Sequence, residues 1–289
     1  MPRELTFSLD GRCFAAQAWG DPGQLPVLAL HGWLDNCASF SVLAPLLDNL
    51  YLVALDMAGH GQSDSRPGVG PYNIWEDVAE VFAIADELGW KKFTLLGHSR
   101  GAIVSVLAAG TFPERISQLA LIEGLLPENP RAEDAPEQLA QSINALKAIR
   151  KKQPTLYPDI QAAISAREKG AFPLSSPAAR ALTERGVKPV DGGYHWSTDP
   201  RLLAPSAIKL TPAHVAAFVD RIKAPVKLIL AQEGIPKRFA NFQRDVSAFS
   251  RFDIVKLHGG HHLHMEAEAP AVAQVLNGFF QTSSQDGAS

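Results

Sequence analysis

The pentapeptide Gly97–Gly101 (Gly-His-Ser-Arg-Gly) places a serine in surroundings that are typical of a nucleophile. It follows the apolar run Phe93–Leu96 and precedes a second apolar run, Ala102–Ala109, which together predict a strand, a tight turn and a helix. Such a turn exposes the hydroxyl of Ser99 beyond the strand and directs the N-terminus of the helix toward it. The flanking glycines avoid clashes with the strand and the helix. The pattern therefore predicts Ser99 as the nucleophile of an acyl-transfer reaction.

A serine hydroxyl is unreactive at neutral pH, so Ser99 needs an adjacent base. The segment His258–His264 (His-Gly-Gly-His-His-Leu-His) follows the last predicted strand, and its paired glycines would let the loop turn a ring toward Ser99. We choose His261 as the base, with the other histidines of the segment as its competitors. A metal-binding tract is the other interpretation, but no further Asp, Glu or His residues have a ligand-like spacing. We therefore expect no metal and no cofactor.

A carboxylate should fix the tautomer of the base and stabilise its charged form, and two glutamates compete for this role. Glu233 lies in the turn after the predicted strand Val226–Leu230, whereas Glu123 directly follows the predicted strand Gln118–Ile122. A carboxylate at the end of an apolar strand is buried at a cost unless it is paired, which favours Glu123. Glu233 stays open as the alternative acid.

The negative oxygen that forms during acyl transfer should bind two backbone N–H groups. One belongs to Arg100, the residue after the nucleophile, and the other to Trp33, in the loop after an early strand. The backbone N–H groups of these two residues, and not their side chains, are the expected donors.

The elements that must position these residues alternate between strand and helix. Short apolar runs are typical of parallel strands that helices cover on both faces, and the alternation predicts a mostly parallel α/β sheet with right-handed crossovers. The predicted strands are Leu5–Leu9, Arg12–Trp19, Pro26–Leu30, Leu50–Leu55, Phe93–Leu96, Gln118–Ile122, Val226–Leu230 and Asp253–Leu257. The predicted helices of this part are Phe40–Leu47, Ile74–Leu88, Ala102–Gly110 and Ala269–Phe280.

Residues 127–211 interrupt this alternation and predict a helical cap inserted into the core, which is formed by residues 1–126 and 212–289. A separate C-terminal lobe is the alternative, but the strand-like segments that return after residue 211 argue against it. The predicted helices of the insertion are Ala135–Lys152, Thr155–Lys169 and Ser176–Arg185. Its candidate pocket residues are Leu126, Leu146, Leu156, Tyr157, Phe172, Tyr194 and Trp196. The basic run Lys147, Arg150, Lys151 and Lys152 is typical of a solvated helix face.

Composition limits the class of protein. The chain has 289 residues, 46% of them hydrophobic, and a formal net charge of −3, which gives no footprint for nucleic acid or acidic membranes. Two cysteines, Cys13 and Cys37, argue against a disulfide scaffold. No apolar run approaches the roughly 20 residues of a spanning helix, and the first residues lack a signal-like apolar region. We expect a cytoplasmic protein that acts on a small acyl substrate; the sequence leaves its oligomeric state open.

Two further motifs complete a resemblance to a known family. The segments His31–Asn36 (His-Gly-Trp-Leu-Asp-Asn) and Asp56–Asp64 (Asp-Met-Ala-Gly-His-Gly-Gln-Ser-Asp), with the serine turn and the late Gly-Gly-His, resemble the α/β-hydrolase superfamily over essentially the whole chain. The Trp-Leu-Asp-Asn extension is similar to the serine hydrolase-like subgroup. The resemblance implies an α/β-hydrolase fold, with a mostly parallel central sheet flanked by helices and an inserted helical cap.

The resemblance also bears on the acid and on the reaction. Most relatives carry an aspartate in the turn after the strand that follows the insertion, and this chain has none there. The spacing between Ser99 and Glu123 resembles relatives whose acid follows the earlier strand, such as some haloalkane dehalogenases. A serine nucleophile disfavours halide displacement and epoxide opening, because its alkyl product would be a stable ether. We expect hydrolysis of a small carboxylic ester; a carbon–carbon or lactone hydrolase and a low-turnover ligand-binding protein are the alternatives.

Overall fold

The computed structural model of the protein describes residues 1–124, 126, 130–235 and 252–282. Its strands are β1 (Arg3–Leu9), β2 (Arg12–Trp19), β3 (Leu25–Leu30), β4 (Leu50–Leu55), β5 (Phe93–His98), β6 (Ile116–Ile122), β7 (Val187–Val190), β8 (Gly193–Trp196), β9 (Val226–Ala231) and β10 (Asp253–Leu257). Its α-helices are α1 (Ile74–Glu87), α2 (Arg100–Thr111), α3 (Ala135–Lys151), α4 (Ile160–Glu168), α5 (Ser176–Gly186), α6 (Pro212–Asp220) and α7 (Ala269–Thr282). Within the described residues, no helix is both long enough and apolar enough to cross a membrane.

Eight of these strands form one sheet in the order β1-β2-β4-β3-β5-β6-β9-β10. The β1–β2 and β2–β4 pairs are antiparallel, and all the other pairs are parallel. The hairpin turn at Asp10 and Gly11 has positive φ at both residues, as the Asp-Gly pair predicts. The predicted fold class, a mostly parallel sheet flanked by helices, is confirmed.

The core lies in two layers, one on each face of the sheet. Along β3, Leu28 and Leu30 pack with residues of α1, α2 and α6, while Val27 and Ala29 pack with residues of α7 on the other face. Because both faces are covered, the strand is apolar throughout. The parallel strands β3, β5, β6 and β9 all end at one edge of the sheet, and the loops at this edge carry the predicted site residues.

The predicted helix Phe40–Leu47 is wrong. A short 3₁₀-helix, Cys37–Phe40, ends at the first residue of this segment, and a second one, Ala44–Leu46, lies inside it. Pro45 is the physical reason: it has no N–H to donate back along the chain, and its ring clashes with the preceding helical turn. Proline is tolerated only in the first turn of a helix, which is where the second 3₁₀-helix places it.

The inserted segment and the residues just after it differ from the prediction in three places. Helix α4 begins at Ile160 and not at Thr155, because the Asp159 side chain accepts the N–H of Ala162 and caps the helix there. The hairpin β7–β8 and helix α6 were not predicted. The first residues of the predicted insertion, 127–129, lie outside the described residues, as do 236–251 and the polar end of the chain, 283–289.

Candidate active site

Ser99 lies at the sharp turn between β5 and α2, in a conformation that few residues other than glycine adopt. Its φ is 51° and its ψ is −115°. The turn is held because the Ser99 N–H donates to the carbonyl oxygen of Ile122, at 2.9 Å, at the end of the neighbouring strand β6. The next turn of chain packs so closely that a Cβ on Gly101 would overlap the carbonyl oxygen of Leu30. The local fold therefore stores strain in order to present one hydroxyl at the sheet edge.

Glu123 and His261 form a hydrogen-bonded pair at the same edge. The Nδ1–H of His261 donates to Oε2 of Glu123 over 3.1 Å, and both side chains are buried. This contact leaves Nε2 of the ring as the acceptor nitrogen. Glu123 has a φ of 50°, so the chain turns sharply at the end of β6 and aims the carboxylate across the sheet edge. The arrangement matches that of a base and the acid that orients it.

Each oxygen of the Glu123 carboxylate accepts a hydrogen bond from a backbone N–H group. Oε1 accepts the backbone N–H of Ala231 and Oε2 that of Ile235, each over 2.6 Å. Burial raises the pKa of Glu123 to about 7, although these two N–H groups favour the ionised form and oppose the rise. Glu233, the alternative acid, is exposed to solvent. Of the two glutamates, the structure places Glu123 against the His261 ring.

Ser99 and His261 line the same cavity, which has a volume of about 740 Å³. Phe172, a predicted pocket residue, stacks on the ring of His261 with the centroids 3.9 Å apart and the planes 28° apart. The ring of the buried His98 also contacts this loop, because its Nε2–H donates to the backbone oxygen of His261 over 2.9 Å. Two aromatic rings therefore fix the loop that carries His261. Of the other candidate pocket residues, Tyr157 and Trp196 also line the cavity.

The two residues predicted to supply N–H groups lie beside this cavity with their side chains engaged elsewhere. The Trp33 indole N–H donates to the carbonyl oxygen of Leu202, and the Arg100 guanidinium pairs with Asp77. Arg100 is the first residue of α2, so its backbone N–H has no acceptor inside the helix. This N–H and the positive end of the helix dipole are available to an anionic oxygen at Ser99.

The loop that contains Trp33 is held by a buried histidine. His31 accepts the N–H of Met57 at Nε2 and donates from Nδ1 to the carbonyl oxygen of Gly32, over 3.0 and 2.8 Å. Burial lowers the pKa of His31 to about 4, so the ring is neutral at pH 7 and can serve as donor and acceptor at once. Both nitrogens of the His31 ring are therefore used by backbone groups of the loop, which makes its role structural.

A second cluster of donor atoms was missed by the sequence analysis. Asp35, His98 and His262 are buried, and one ligand atom from each lies within 4.8 Å of the others, a separation that one metal ion could bridge. In this structure the carboxylate of Asp35 instead accepts hydrogen bonds from His262 and from Arg167, over 3.1 and 2.7 Å. The three residues are far apart in the sequence, so no spacing pattern could have revealed them.

The inserted segment is joined to the core by two arginines that pair with buried aspartates. Arg167, at the end of α4, pairs with Asp35, and Arg185, in α5, pairs with Asp56 over 2.9 Å. Both aspartates are at most 2% exposed. Asn36 adds a hydrogen bond from its side-chain amide to the carbonyl oxygen of Leu182 in α5. These contacts fix the insertion over the loops that carry the site.

Comparisons with known proteins agree with this architecture. A family model described as alpha/beta hydrolase fold matches residues 26–167. A serine hydrolase-like protein of Danio rerio is 33% identical, with 93% of this chain and 86% of that protein covered. Serine hydrolase-like protein 2 of Homo sapiens is 31% identical, over 96% of this chain and 94% of that protein.

Two solved structures are similar over nearly their whole length. A hypothetical protein from Pseudomonas aeruginosa PAO1 is 45% identical, covers 96% of this chain and 99% of its own, and superposes with a TM-score of 0.92. A thioesterase domain from the curacin biosynthetic pathway is 28% identical, with the same coverage and a TM-score of 0.83.

Proposed function

The chain belongs to the alpha/beta hydrolase superfamily and to its serine hydrolase-like subgroup, and from this premise we propose that it hydrolyses a small carboxylic ester through an acyl-enzyme. One observation carries the proposal. The His261 ring is hydrogen-bonded over 3.1 Å to a buried carboxylate, Glu123, and lines the cavity that also contains the strained Ser99. A base oriented by an acid beside an exposed hydroxyl is the arrangement that activates a serine.

In the proposed cycle, Ser99 attacks the acyl carbonyl while Nε2 of His261 removes the hydroxyl proton. Glu123 stabilises the imidazolium that forms, and the backbone N–H groups of Trp33 and Arg100 stabilise the negative oxygen. His261 then gives its proton to the leaving alcohol. A water molecule, deprotonated by the same ring, then attacks the acyl-enzyme. The bond between the acyl carbon and Ser99 Oγ breaks, His261 gives the proton to Oγ, and the acid is released. The cycle needs no cofactor and no metal.

The presence of a carboxylate partner for His261 distinguishes an active hydrolase from a ligand-binding protein with little turnover. The chain lacks the aspartate that most relatives carry after the late strand, which left open a ligand-binding protein with little turnover. The contact between Glu123 and His261 supports the enzyme, because it provides a carboxylate from the end of β6 in place of that aspartate. A carbon–carbon or lactone hydrolase would use the same three residues, and a panel of esters, lactones and diketones distinguishes these substrates.

Two measurements test the proposal. Ser99→Ala should lower kcat for a short p-nitrophenyl ester by up to about 10⁶-fold, and a fluorophosphonate probe should label the wild-type chain at Ser99 and leave the variant unlabelled. Undiminished activity of the variant, or labelling at another residue, would overturn the assignment. The probe reports activation of the serine independently of which substrate is tried.

We also propose a cytoplasmic location for the protein and a cap over its core. We place the protein in the cytoplasm, which fits its two free cysteines, Cys13 and Cys37. We treat residues 127–211 as a cap over the core, which fits the many residues of this range that line the cavity around Ser99. The expected partner is a small acyl compound.

A further inference from the structure

Two lysines of the inserted segment line the cavity. Lys152 follows the end of α3, and Lys188 lies in β7. Both side chains are exposed, and within the described residues neither makes an ion pair or a side-chain hydrogen bond. In the sequence, the run that includes Lys152 is typical of a solvated helix face. The structure instead places this last member of the run at the cavity wall.

The acidic residues of the cavity lining do not neutralise these lysines, because each has its own arginine. Asp35 pairs with Arg167 over 2.7 Å, and Asp199 pairs with Arg201 over 2.6 Å. Asp199 also accepts the hydroxyl of the buried Tyr72 over 2.8 Å. The two carboxylates are at most 8% exposed, so they are internal parts of the wall. Among the described residues that line the cavity, the charge left unneutralised is therefore positive.

We propose that the substrate is an anionic acyl compound, whose carboxylate or phosphate binds Lys152 and Lys188 while its carbonyl carbon lies at Ser99. This inference rests on the proposed function and names the substrate class of the same site. A cleft with low-dielectric walls focuses the field of unneutralised charges and raises the local concentration of an oppositely charged substrate. The rest of the wall is largely apolar and takes the hydrocarbon part.

The anion could lie on either side of the scissile bond. On the acyl side it would be the free carboxylate of a dicarboxylic acid monoester. On the leaving-group side it would be the phosphate of a carrier thioester. In both cases, water adds across the bond and yields one acid together with one alcohol or thiol. Both kinds of substrate present the same group to the two lysines, an anionic carboxylate or phosphate.

Matched substrate pairs test the inference. The first pair is mono-p-nitrophenyl glutarate and its methyl ester; the second is butyryl-coenzyme A and S-butyryl-N-acetylcysteamine. We expect kcat/KM for the charged member of one pair to exceed that of the neutral member by about tenfold at low salt, and the pair that responds identifies the source of the anion. Lys152→Gln and Lys188→Gln should each lower that ratio about threefold, through KM and not kcat.

Lys151→Gln is the matched control. Lys151 is exposed in the same basic run but does not line the cavity, so this variant should keep the wild-type ratio. Equal kcat/KM within both pairs would overturn the inference and leave the proposed hydrolase intact. A charged preference that survives Lys152→Gln and Lys188→Gln together would also overturn it. Absence of turnover for all four compounds, without fluorophosphonate labelling, would refute the proposed function itself.

Discussion

Replacing the Glu123 carboxylate by an amide removes its negative charge but keeps the size and shape of the side chain, so the variant tests the contribution of the charge to catalysis. In Glu123→Gln the imidazolium of His261 loses an anion 3.1 Å away; at an effective dielectric constant of 20, Coulomb's law makes this worth about 5 kcal/mol. We therefore expect kcat for a p-nitrophenyl ester to fall about 10⁴-fold. The assay is steady-state turnover at pH 8, where the wild-type carboxylate is ionised, because its pKa is about 7.

The amide also disturbs the backbone donors. The carboxylate accepts three hydrogen bonds, from Ala231, Ile235 and His261, whereas an amide has one acceptor oxygen. At least one buried N–H is left facing the NH₂ group, which costs about 1–3 kcal/mol and should lower Tm by several degrees. Circular dichroism must show that the variant is folded at the assay temperature.

Glu233→Gln is the matched control, since the same chemical change is made on an exposed residue of the neighbouring turn. We expect its kcat to stay within about twofold of the wild type, as for most exposed substitutions. Glu123 is not the acid if folded Glu123→Gln keeps more than a tenth of the wild-type kcat, or if Glu233→Gln loses the activity instead.

Three further outcomes follow from the structure. Because burial raises the pKa of Glu123 to about 7, kcat/KM for a neutral ester should fall about tenfold per unit below pH 7, as the protonated carboxyl no longer stabilises the imidazolium; a flat profile between pH 5 and 8 would contradict this. Gly234→Ala should lower kcat with little change in KM, because the added Cβ would overlap Oε2 of Glu123 and push the carboxylate away from its hydrogen-bond partners. Wild-type kinetics in this variant would show that the turn can shift to make room for the methyl group. Arg185→Met should lower the free energy of unfolding by about 3 kcal/mol, since it leaves Asp56 buried without its arginine. Arg180→Met removes only exposed contacts, with Glu184 and Gln161, and should cost less than about 1 kcal/mol; equal urea midpoints would refute this contrast.

The strands were predicted well because their signal is local. The predicted bounds agree with the structure for Arg12–Trp19, Leu50–Leu55 and Asp253–Leu257, and the other predicted strands shift by at most two residues at either end. A run of apolar residues that is covered on both faces must be a strand when turn residues limit its length. The serine turn was predictable for the same reason, since the glycines that it requires stand beside Ser99 in the sequence.

The sequence favoured Glu123 over Glu233 as the acid but left Glu233 open. Strands β6 and β9 are neighbours in the sheet, so both glutamates emerge at the same edge. What separates them is the positive φ of Glu123, which no composition pattern predicts for a glutamate. Asp35 was likewise out of reach, because its partners His262 and Arg167 come from distant parts of the chain.

The two arginines that fasten the insertion constrain how this protein can be redesigned or can diverge. A chimera that received the corresponding segment of a relative without Arg167 and Arg185 would leave Asp35 and Asp56 buried without the arginines that pair with them. Each aspartate lies in an early loop of the core, more than a hundred residues before its arginine. The inserted segment and the two early loops must therefore be exchanged as one unit. New substrate specificities should be sought by varying the residues of the cavity wall while both arginine–aspartate pairs are kept.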